Sequence, residues 1–548
     1  MPGIDAALSA RSRPTVEPSG SVSPGAPLPL RVAFLGARAR ELLGPGVEPV
    51  SPDSGATSAQ TLDALVLGSD AQLPREELEW AAGAARAAGA AVIGFGESAA
   101  ASGLVDVVAG AARDDRVVPV AATPPPVDIR AFNPLRFSAR GVAGFLAAVR
   151  PGAPPSGVAT ALPTLAEAAR QEPVSLRAPP EVRAELEYPS GVAPGTALDA
   201  DPPDLLEILH KRLGVIDHPS LHPSEWERAG WIAKLCAAGV PVVCAEISPG
   251  LRELLGQELA SLLEEVGPRD LADLDRRERL SVALRRLALQ EHSIDACWRR
   301  ICGSAGIAVP ARPLVSVIMP TRREEWLEHG LSQIARQTYE PRELILSLHG
   351  DAFSPDIEER LRAQIAGPVK FVRVDGDLTL GDALNAGVEV AEGALVTKMD
   401  DDDYYNVDHL WDLALACEYS GADLVGKAAE FVYLEQIDVT VRQISHDVDT
   451  RLAGGGLMAL RESLVAVGGW PQRTRGEDLA LIRRVAGEGR KIHRIPPLGY
   501  ILNRHGRDHT WGPRVDYFLF RSQHQWRGLR FDVTAIEPAP KPDVPEGA

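Results

Sequence analysis

The sequence is poor in four features that would each mark a class of protein. No apolar run approaches the ~20 residues that cross a bilayer, and the N-terminus lacks the basic and apolar sections of a signal peptide. Lys and Arg number 57 against 75 Asp and Glu, a formal charge of −18 that would repel a nucleic-acid backbone. The five cysteines are scattered without CxxC spacing, which argues against a disulfide framework or a zinc site. We therefore expect a cytoplasmic protein with no transmembrane segment and no nucleic-acid partner; peripheral association with a membrane stays open.

Length and composition predict a globular chain of several domains. The 548 residues are 45% hydrophobic and 24% charged, which is ordinary for folded proteins, and they are too many for a single core. We expect five segments along the chain. They are a disordered tail at 1–29, a Rossmann-like α/β domain at 30–135, a second α/β domain with closing helices at 136–305, a nucleotide-binding type of domain at 311–515, and an extension with a disordered tail at 516–548.

Short apolar runs alternate with helical stretches in the N-terminal part of the chain. The runs at Leu30–Leu35, Leu62–Leu67, Ala91–Phe95 and Val117–Ala121 predict parallel strands joined by crossovers, and hence an α/β sheet. Further along, Arg276–Arg300 carries apolar residues at helical spacing and predicts one long amphipathic helix.

A regular β-α-β-α-β-α-β order begins at Leu314. Its predicted strands are Leu314–Met319, Glu343–Leu348, Val369–Val374 and Ala394–Met399. This order is typical of a nucleotide-binding sheet, in which ligands lie at the carboxyl ends of the strands. The residues that follow these strands are therefore candidates for a site.

Four consecutive carboxylates, Asp400–Asp403, follow the last of these strands. They repel one another unless a cation or a helix N-terminus compensates their charge. Mg²⁺ and Mn²⁺ prefer carboxylate oxygens and usually share coordination with substrate phosphates. The alternative is a solvated acidic turn before a helix at Val407–Glu418, with Asn406 as the N-cap. The four residues alone leave both readings open.

Two more groups of titratable residues lie further along. Glu477 and Asp478 begin a predicted helix, where carboxylates are either ordinary capping groups or a general base. His505 and His509 are flanked by arginines. They could complete a metal shell and hold a diphosphate, or they could be ordinary surface residues.

Residues 314–511 resemble a family-2 glycosyltransferase of the GT-A fold, because several motifs occur in the family's order and spacing. The matching segments are VSVIMPT (Val315–Thr321), ARQTYEPRELIL (Ala335–Leu346), LGDALNAG (Leu380–Gly387), KMDDDD (Lys398–Asp403), GGWP (Gly468–Pro471), GEDLAL (Gly476–Leu481) and RHGRDHTW (Arg504–Trp511). The resemblance implies a metal-dependent enzyme that transfers a sugar from a nucleotide-sugar to an acceptor hydroxyl and inverts the anomeric configuration.

The resemblance also implies a role for individual residues. The strand-end aspartates correspond to the family's DXD motif, with Asp400 and Asp401 facing the nucleotide and Asp402 holding Mn²⁺ or Mg²⁺. A metal there would neutralise charge that develops on the departing diphosphate. Asp478 corresponds to the base that deprotonates the acceptor hydroxyl, and Glu477 would assist it or contact the acceptor.

Other positions extend this implied site. His505 or His509 corresponds to a downstream metal ligand, and the sequence does not choose between them. Thr321 and Arg322 would line the pocket of the nucleotide base. The segment Gly454–Gly456 stands where the family has a loop near donor and acceptor.

The sequence departs from the family pattern on the donor side. His349 stands where an acidic residue commonly reads the base, so UDP, GDP and dTDP all stay open as the donor nucleotide. Leu384 stands where many members carry an arginine that contacts the diphosphate, and Lys398 is a candidate to supply that charge instead. The neighbouring Asn385 is a further candidate donor-binding residue.

Residues 30–305 resemble, more loosely, the two-lobed GT-B glycosyltransferases of the spore-maturation, CgeB-like type. The resemblance depends on Val127–Pro134, Leu235–Val243 and the closing helix through His292–Arg300. The helix that would carry a glutamate for the donor ribose reads Trp231-Ile-Ala-Lys234 and has no acid there. We therefore expect a degenerate, accessory half.

The sequence as a whole predicts a glycosyltransferase whose acceptor is a glycan, a lipid-linked saccharide or a secondary metabolite. Two alternatives remain: a bifunctional transferase with both halves active, and a non-catalytic scaffold that binds nucleotide-sugars. The sugar, the linkage and the oligomeric state are not predicted.

Overall fold

The computed structural model describes residues 143–183, 187–198, 202–304, 311–443, 452–506 and 514–535, with residues 307 and 309 and short stretches between 28 and 132. Most of the predicted tail at 1–29, the chain after 535 and His509 lie outside the described residues. The chain divides into two compact units, with the boundary between Pro310 and Ala311.

The first sheet of the N-terminal unit consists of six short parallel strands. They are β1 (Leu28–Leu35), β2 (Val47–Val50), β3 (Ala64–Leu67), β4 (Ala91–Phe95), β5 (Val107–Ala109) and β6 (Val120–Ala121). Their order across the sheet is β2-β1-β3-β4-β5-β6, and each pair is parallel. The apolar runs of the sequence therefore form strands of the expected α/β class.

The second sheet of this unit is also parallel and is accompanied by helices. Its strands are β7 (Phe145–Ala148), β8 (Val174–Arg177), β9 (Val192–Gly195), β10 (Gly214–Asp217) and β11 (Val242–Cys244), in the order β11-β10-β7-β8-β9. The helices are α1 (Pro155–Ala168), α2 (Pro180–Arg183), α3 (Pro202–His210), α4 (Glu225–Ala237), α5 (Pro249–Leu255), α6 (Gln257–Glu264), α7 (Pro268–Ala272), α8 (Leu274–His292) and α9 (Ile294–Ser304).

The single helix predicted over Arg276–Arg300 is wrong, because α8 ends at His292 and α9 begins at Ile294. Ser293 has an extended backbone between them and caps α9 by accepting a hydrogen bond from the Ala296 amide. The buried Val127 forms a β-bridge with Ser293. The break is therefore stabilised by a strand-like contact with a distant segment, which helical periodicity does not reveal.

The C-terminal unit, which contains the candidate site, is built on two sheets. Its strands are β12 (Val315–Thr321), β13 (Arg342–His349), β14 (Val369–Val374), β15 (Leu395–Lys398), β16 (Tyr404–Tyr405), β17 (Leu424–Gly426), β18 (Phe431–Leu434), β19 (Val439–Gln443), β20 (Leu457–Leu460), β21 (Ile492–Arg494), β22 (Tyr500–Arg504) and β23 (Ser522–Arg527). Its helices are α10 (Leu327–Ala335), α11 (Ile357–Gln364), α12 (Leu380–Val390), α13 (His409–Ser420), α14 (Arg461–Ala466), α15 (Glu477–Gly487) and α16 (Val515–Phe520).

The larger sheet brings the ends of three parallel strands to one edge. Its order is β14-β13-β12-β15-β20-β17-β21, and β12 is buried along its whole length, as its apolar sequence predicts. In the register, Thr321 lies opposite Leu348, and Ile318 lies opposite Lys398. Strands β12, β13 and β15 therefore deliver their C-terminal residues to the same edge, where ligands of such sheets bind.

The smaller sheet fixes the segment that follows the aspartates. Its order is β16-β22-β18-β19-β23. Strand β16 comes directly after Asp403 and pairs antiparallel with β22, which leads directly into His505. This pairing brings the aspartate segment and His505 together although about a hundred residues separate them in the chain.

The helix expected at Val407–Glu418 begins two residues later, at His409, and Asp408 rather than Asn406 is its N-cap. The Asn406 side chain instead accepts a hydrogen bond from the backbone amide of Asp408. The backbone amide of Asn406 donates to the carbonyl of Gly499. The aspartates therefore lie several residues before this helix and do not cap it. Among the helices that the structure describes, none has the length and apolar character required to cross a bilayer.

A buried ion pair stabilises the C-terminal unit. Lys427 Nζ lies 2.9 Å from Asp412 Oδ2 and donates to Leu498 O at 2.9 Å, and both charged side chains are buried. Lys427→Ala leaves the Asp412 charge uncompensated, so we expect a loss of about 3–5 kcal/mol in the free energy of unfolding. Urea unfolding of the full chain measures this loss.

The control is Arg373→Ala, which removes an exposed ion pair with Glu358 and should cost no more than about 1 kcal/mol. The double variant Lys427→Met, Asp412→Leu should recover most of the stability because no buried charge remains. Equal losses in Lys427→Ala and Arg373→Ala would contradict the prediction.

Candidate functional site

Asp401 is held at the end of β12. The Thr321 hydroxyl donates a hydrogen bond to Asp401 Oδ2 at 2.5 Å, and Arg323 forms an ion pair with Asp401 Oδ1. Burial raises the pKa of Asp401, and its contacts with Arg323 and Thr321 oppose that rise. Thr321 therefore orients the aspartate segment, and its place in the pocket of the nucleotide base stays a prediction.

Asp402 and His505 meet next to the same arginine. His505 Nε2 lies 3.0 Å from Asp402 Oδ2 and 2.9 Å from Arg323 Nη1, and Arg323 Nη2 lies 3.0 Å from Asp402 Oδ2. Burial favours the neutral acid, but His505 and Arg323 outweigh it and lower the pKa of Asp402 to about 2. Asp402 is therefore an ionised carboxylate with an imidazole nitrogen beside it.

Asp403 has a structural role. Its carboxylate accepts hydrogen bonds from the Tyr500 hydroxyl at 2.7 Å and from the Asn503 amide at 2.9 Å. Burial, followed by the charges of Asp402 and Asp400, raises its pKa well above the usual value. These bonds tie the aspartate segment to β22, so the fourth aspartate supports the other three.

Lys398 lies between the two acidic motifs. Its Nζ is 3.0 Å from Asp478 Oδ2, 3.3 Å from Asp400 Oδ1 and 3.6 Å from Glu477 Oε1. The ammonium group is buried, and although burial lowers its pKa, the three carboxylates raise it well above the usual value. The strand-end aspartates and the carboxylates that begin α15 therefore share one site, and Lys398 is the cation that joins them.

Two carboxyl groups in this cluster hold protons more tightly than usual. Burial, together with the charge of Asp478, raises the pKa of Glu477 to about 7. Burial, against the opposing charge of Lys398, raises the pKa of Asp400 to about 6. The three carboxylates around Lys398 therefore carry more negative charge than one ammonium compensates.

Asp478 is oriented by Trp470 of the GGWP segment. The Trp470 indole Nε1 donates to Asp478 Oδ1 at 3.0 Å. Asn385 in α12 fixes the Trp470 backbone, because its amide donates to Trp470 O and accepts from Trp470 N, both at 2.8 Å. These bonds use the Asn385 amide within the protein, and the donor contact predicted for Asn385 stays a prediction.

The glycines at 454–456 lie directly against the carboxylates. A Cβ on Gly454 would stand 1.8 Å from Asp478 Oδ2, and one on Gly455 would stand 3.0 Å from Asp400 Oδ2. The segment precedes β20, which pairs with β15, and this pairing brings it across from the aspartates. Side chains are absent here because the backbone approaches the acidic cluster closely.

Arg322 and His349 form a second group at the ends of β12 and β13. Arg322 Nε donates to His349 Nδ1 at 3.1 Å, and Arg322 Nη2 donates to Gly376 O at 2.7 Å. Burial and the Arg322 charge lower the pKa of His349, which makes the imidazole a neutral hydrogen-bonding group. The structure thus brings together these two candidates for the pocket of the nucleotide base.

Sequence reasoning missed two residues of the site. Arg323, beside the predicted Arg322, contacts Asp401, Asp402 and His505, but no local pattern distinguishes it from other arginines. Trp470 belongs to a motif quoted for the resemblance, and its polar indole in an otherwise apolar segment was the available signal.

Asp402 Oδ2 and His505 Nε2 are an oxygen and a nitrogen donor of the types that a divalent ion accepts. They lie 3.0 Å apart, and the Arg323 guanidinium contacts both. The described residues contain no group of three or more His, Cys, Asp or Glu side chains arranged around a metal position. Oxygens of a bound diphosphate and water would therefore have to complete the coordination.

Comparisons with known proteins match part of the C-terminal unit to a family. Residues 316–440 match the family model described as Glycosyl transferase family 2. No curated protein matches the chain. The matched range lies in the C-terminal unit and includes Lys398–Asp403, and Glu477, Asp478 and His505 lie beyond it. The glycosyltransferase class expected from the motifs is confirmed for this range.

Solved structures of glycosyltransferases are among the matches. A mannosyltransferase, PcManGT from Pyrobaculum calidifontis, in complex with GDP-Man and Mn²⁺, is 19% identical over 36% of this chain and 59% of its own, with a TM-score of 0.29. S. aureus TarS 1-349 in complex with UDP-GlcNAc is 19% identical over 37% of this chain and 61% of its own, with a TM-score of 0.28. The chain thus spans about three-fifths of the length of each.

The buried charge balance around Lys398 predicts a pH-dependent stability. Because the pKa of Glu477 is raised from 4.5 to about 7, its contribution favours the folded state at low pH and is lost as the pH rises through about 7. Lys398→Met removes the cation 3.6 Å from Glu477. When the pH is raised from about 5 to about 8, we expect the free energy of unfolding of the variant to fall by about 2–4 kcal/mol more than that of the wild type.

Urea unfolding with a chelator present measures this difference. Lys491→Met, which removes a lysine that donates to the Ser420 carbonyl, is the matched control and should follow the wild-type pH profile. A Lys398→Met profile parallel to that of the wild type would show that the ammonium does not balance these carboxylates.

Proposed function

We propose that the C-terminal unit is a metal-dependent, inverting glycosyltransferase. It moves a sugar from a nucleotide-sugar to an acceptor hydroxyl of a glycan, a lipid-linked saccharide or a secondary metabolite. The observation that carries the proposal is the Lys398 ammonium, which lies 3.3 Å from Asp400 and 3.0 Å from Asp478. A group for the departing nucleotide and a base for the acceptor are therefore within reach of one sugar.

The donor side of the site is the edge formed by β12, β13 and β15. Arg322 and His349 lie where the resemblance puts the base, and the bonds from Thr321 and Arg323 hold Asp401 at the strand end. Arg323 is a cation at this edge, in the region where diphosphate charge increases as the glycosidic bond breaks. UDP, GDP and dTDP remain candidates for the nucleotide.

Asp402 and His505 would hold the divalent ion, Mn²⁺ or Mg²⁺. Such an ion would neutralise charge on the diphosphate leaving group. The low pKa of Asp402 keeps its carboxylate ionised, as a ligand must be. The contact with Asp402 supports His505 as a ligand. His509, the alternative, lies outside the described residues and stays a candidate.

The acceptor side is organised around Asp478. Lys398 contacts one of its oxygens and the Trp470 indole contacts the other, so the carboxylate has a fixed orientation. A carboxylate held in this way can accept the proton of an acceptor hydroxyl as the oxygen attacks the anomeric carbon. A single displacement of this kind inverts the anomeric configuration. Glu477, with its pKa near 7, carries a proton for part of the time and can donate a hydrogen bond to the acceptor.

Asp478→Asn should remove the base and keep the fold. We expect the rate of sugar transfer to fall about 10²- to 10⁴-fold, with little change in the KM for the donor. The assay is a screen of nucleotide-sugars with purified full-length protein and Mn²⁺. Asp356→Asn, at the exposed start of α11, is the control and should be fully active.

Retention of most of the activity in Asp478→Asn would refute the assignment of the base. Transfer that persists in the double variant Asp402→Asn, Asp478→Asn would instead indicate a second active site, which is the bifunctional alternative. Absence of turnover with every donor would favour the non-catalytic scaffold.

Nucleotide binding should be linked to the metal through Asp402. A nucleoside diphosphate with Mn²⁺ at about 100 times the dissociation constant should raise the free energy of unfolding by about 2.7 kcal/mol. Thermal shifts with UDP, GDP or dTDP, with Mn²⁺ or with EDTA, measure this effect. Asp402→Asn should lose the part that depends on Mn²⁺, and Asp356→Asn should keep it. Equal stabilisation in EDTA and Mn²⁺ would contradict metal dependence.

A further inference from the structure

The helix α16 has one face in the core and one face in solvent. Phe518 is 2% exposed and packs with Val432, Leu434 and Val441 of the smaller sheet. On the opposite face Phe520 is 88% exposed and Tyr517 is 38% exposed. Among the described residues no other large apolar side chain exceeds the 57% of Val465.

Two arginines share the outer face with these rings. Tyr517 and Phe520 lie one turn apart in α16, and Arg514 and Arg521 cap its two ends. Arg514 forms an ion pair with Asp516 at 3.4 Å. We call Arg514, Tyr517, Phe520 and Arg521 the α16 face. The Arg521 guanidinium lies 4.6 Å from the centroid of the Tyr517 ring and donates to the Tyr517 hydroxyl at 2.6 Å. Arg521 and Tyr517 are therefore in direct contact on this surface.

The charge of this region is opposite to that of the chain. Residues 514–535 contain four arginines and two aspartates, a net charge of 4 − 2 = +2, whereas the whole chain carries −18. Arg514 and Arg530 are ion-paired with Asp516 and Asp532, so the surplus positive charge is that of Arg521 and Arg527. At physiological ionic strength a charge acts over about 8 Å, so the local arginines decide what approaches this surface. The partner that complements it is anionic.

We propose that the α16 face docks reversibly on a bilayer that contains anionic lipid. Phe520 and Tyr517 would enter the interfacial region, where aromatic residues are favoured, and Arg514 and Arg521 would meet the lipid phosphates. A single exposed apolar residue is ordinary, but two aromatic rings flanked by cations match a surface anchor. The face has four side chains, whereas a stable protein interface has 20–30 residues per partner. The face is therefore too small to hold a protein partner by itself. This proposal concerns a surface outside the acidic site and does not depend on catalysis.

Co-sedimentation of the full-length protein with vesicles tests the proposal. Vesicles contain either phosphatidylcholine alone or equal parts of phosphatidylcholine and phosphatidylglycerol. The wild type should bind the anionic vesicles, bind the neutral ones at least several-fold less, and be released by high salt. Phe520→Ser should weaken binding about tenfold, and Arg521→Gln should weaken it several-fold.

The control is Val465→Ser, which replaces the next most exposed apolar side chain, on α14, and should bind like the wild type. All three variants should unfold at the wild-type temperature. Equal binding to both kinds of vesicle, or wild-type binding by both Phe520→Ser and Arg521→Gln, would overturn the proposal. So would a dimer in sedimentation velocity that Phe520→Ser dissociates while vesicle binding is absent, since the occupant of the face would then be a second copy.

Discussion

The site depends on one electrostatic constraint, which is the balance between the buried Lys398 ammonium and the carboxylates around it. Asp400 and the pair Glu477 and Asp478 come from segments far apart in the chain, and without a shared cation their repulsion would separate them. The same balance leaves a surplus of negative charge, and burial together with neighbouring carboxylates raises the pKa values of Glu477 and Asp400. A site with this surplus of negative charge favours the binding of a further cation, which can be a metal ion or a protonated group.

The backbone supports that balance through pairing between strands. Strand β16 continues the aspartate segment and pairs with β22, so Asp402 meets His505, while β20 pairs with β15 and brings the glycines against Asp400 and Asp478. Sheet hydrogen bonds fix these segments more firmly than a loop would. The indole of Trp470, itself held by Asn385, fixes Asp478 in the same way, and the chemical groups are thus positioned before any ligand arrives.

The sequence predicted the strands and the acidic clusters, which depend only on residues that are close together in the chain. The buried strands β12, β13 and β15 follow from apolar runs, and the acidic clusters follow from their positions at the ends of such elements. Arg323 was missed, because its role depends on Asp402 and His505, which lie far away in the chain. The break in the helix at Ser293 was missed for the same reason, since Val127 provides the pairing that stabilises it. Contacts of this kind are set by topology, and neither composition nor periodicity contains them.

The smaller sheet connects the acidic site with the α16 face. Strand β22 ends beside His505, and α16 packs on the same sheet through Phe518. Because the strands between them are hydrogen-bonded in register, the two features keep a constant separation. A bilayer bound at the α16 face would therefore stand at a fixed distance from the carboxylates. That arrangement benefits an acceptor that is itself held in the bilayer, whereas a free glycan or a secondary metabolite reaches the site equally well from solution. Of the three acceptor classes, docking on anionic lipid thus favours the lipid-linked saccharide.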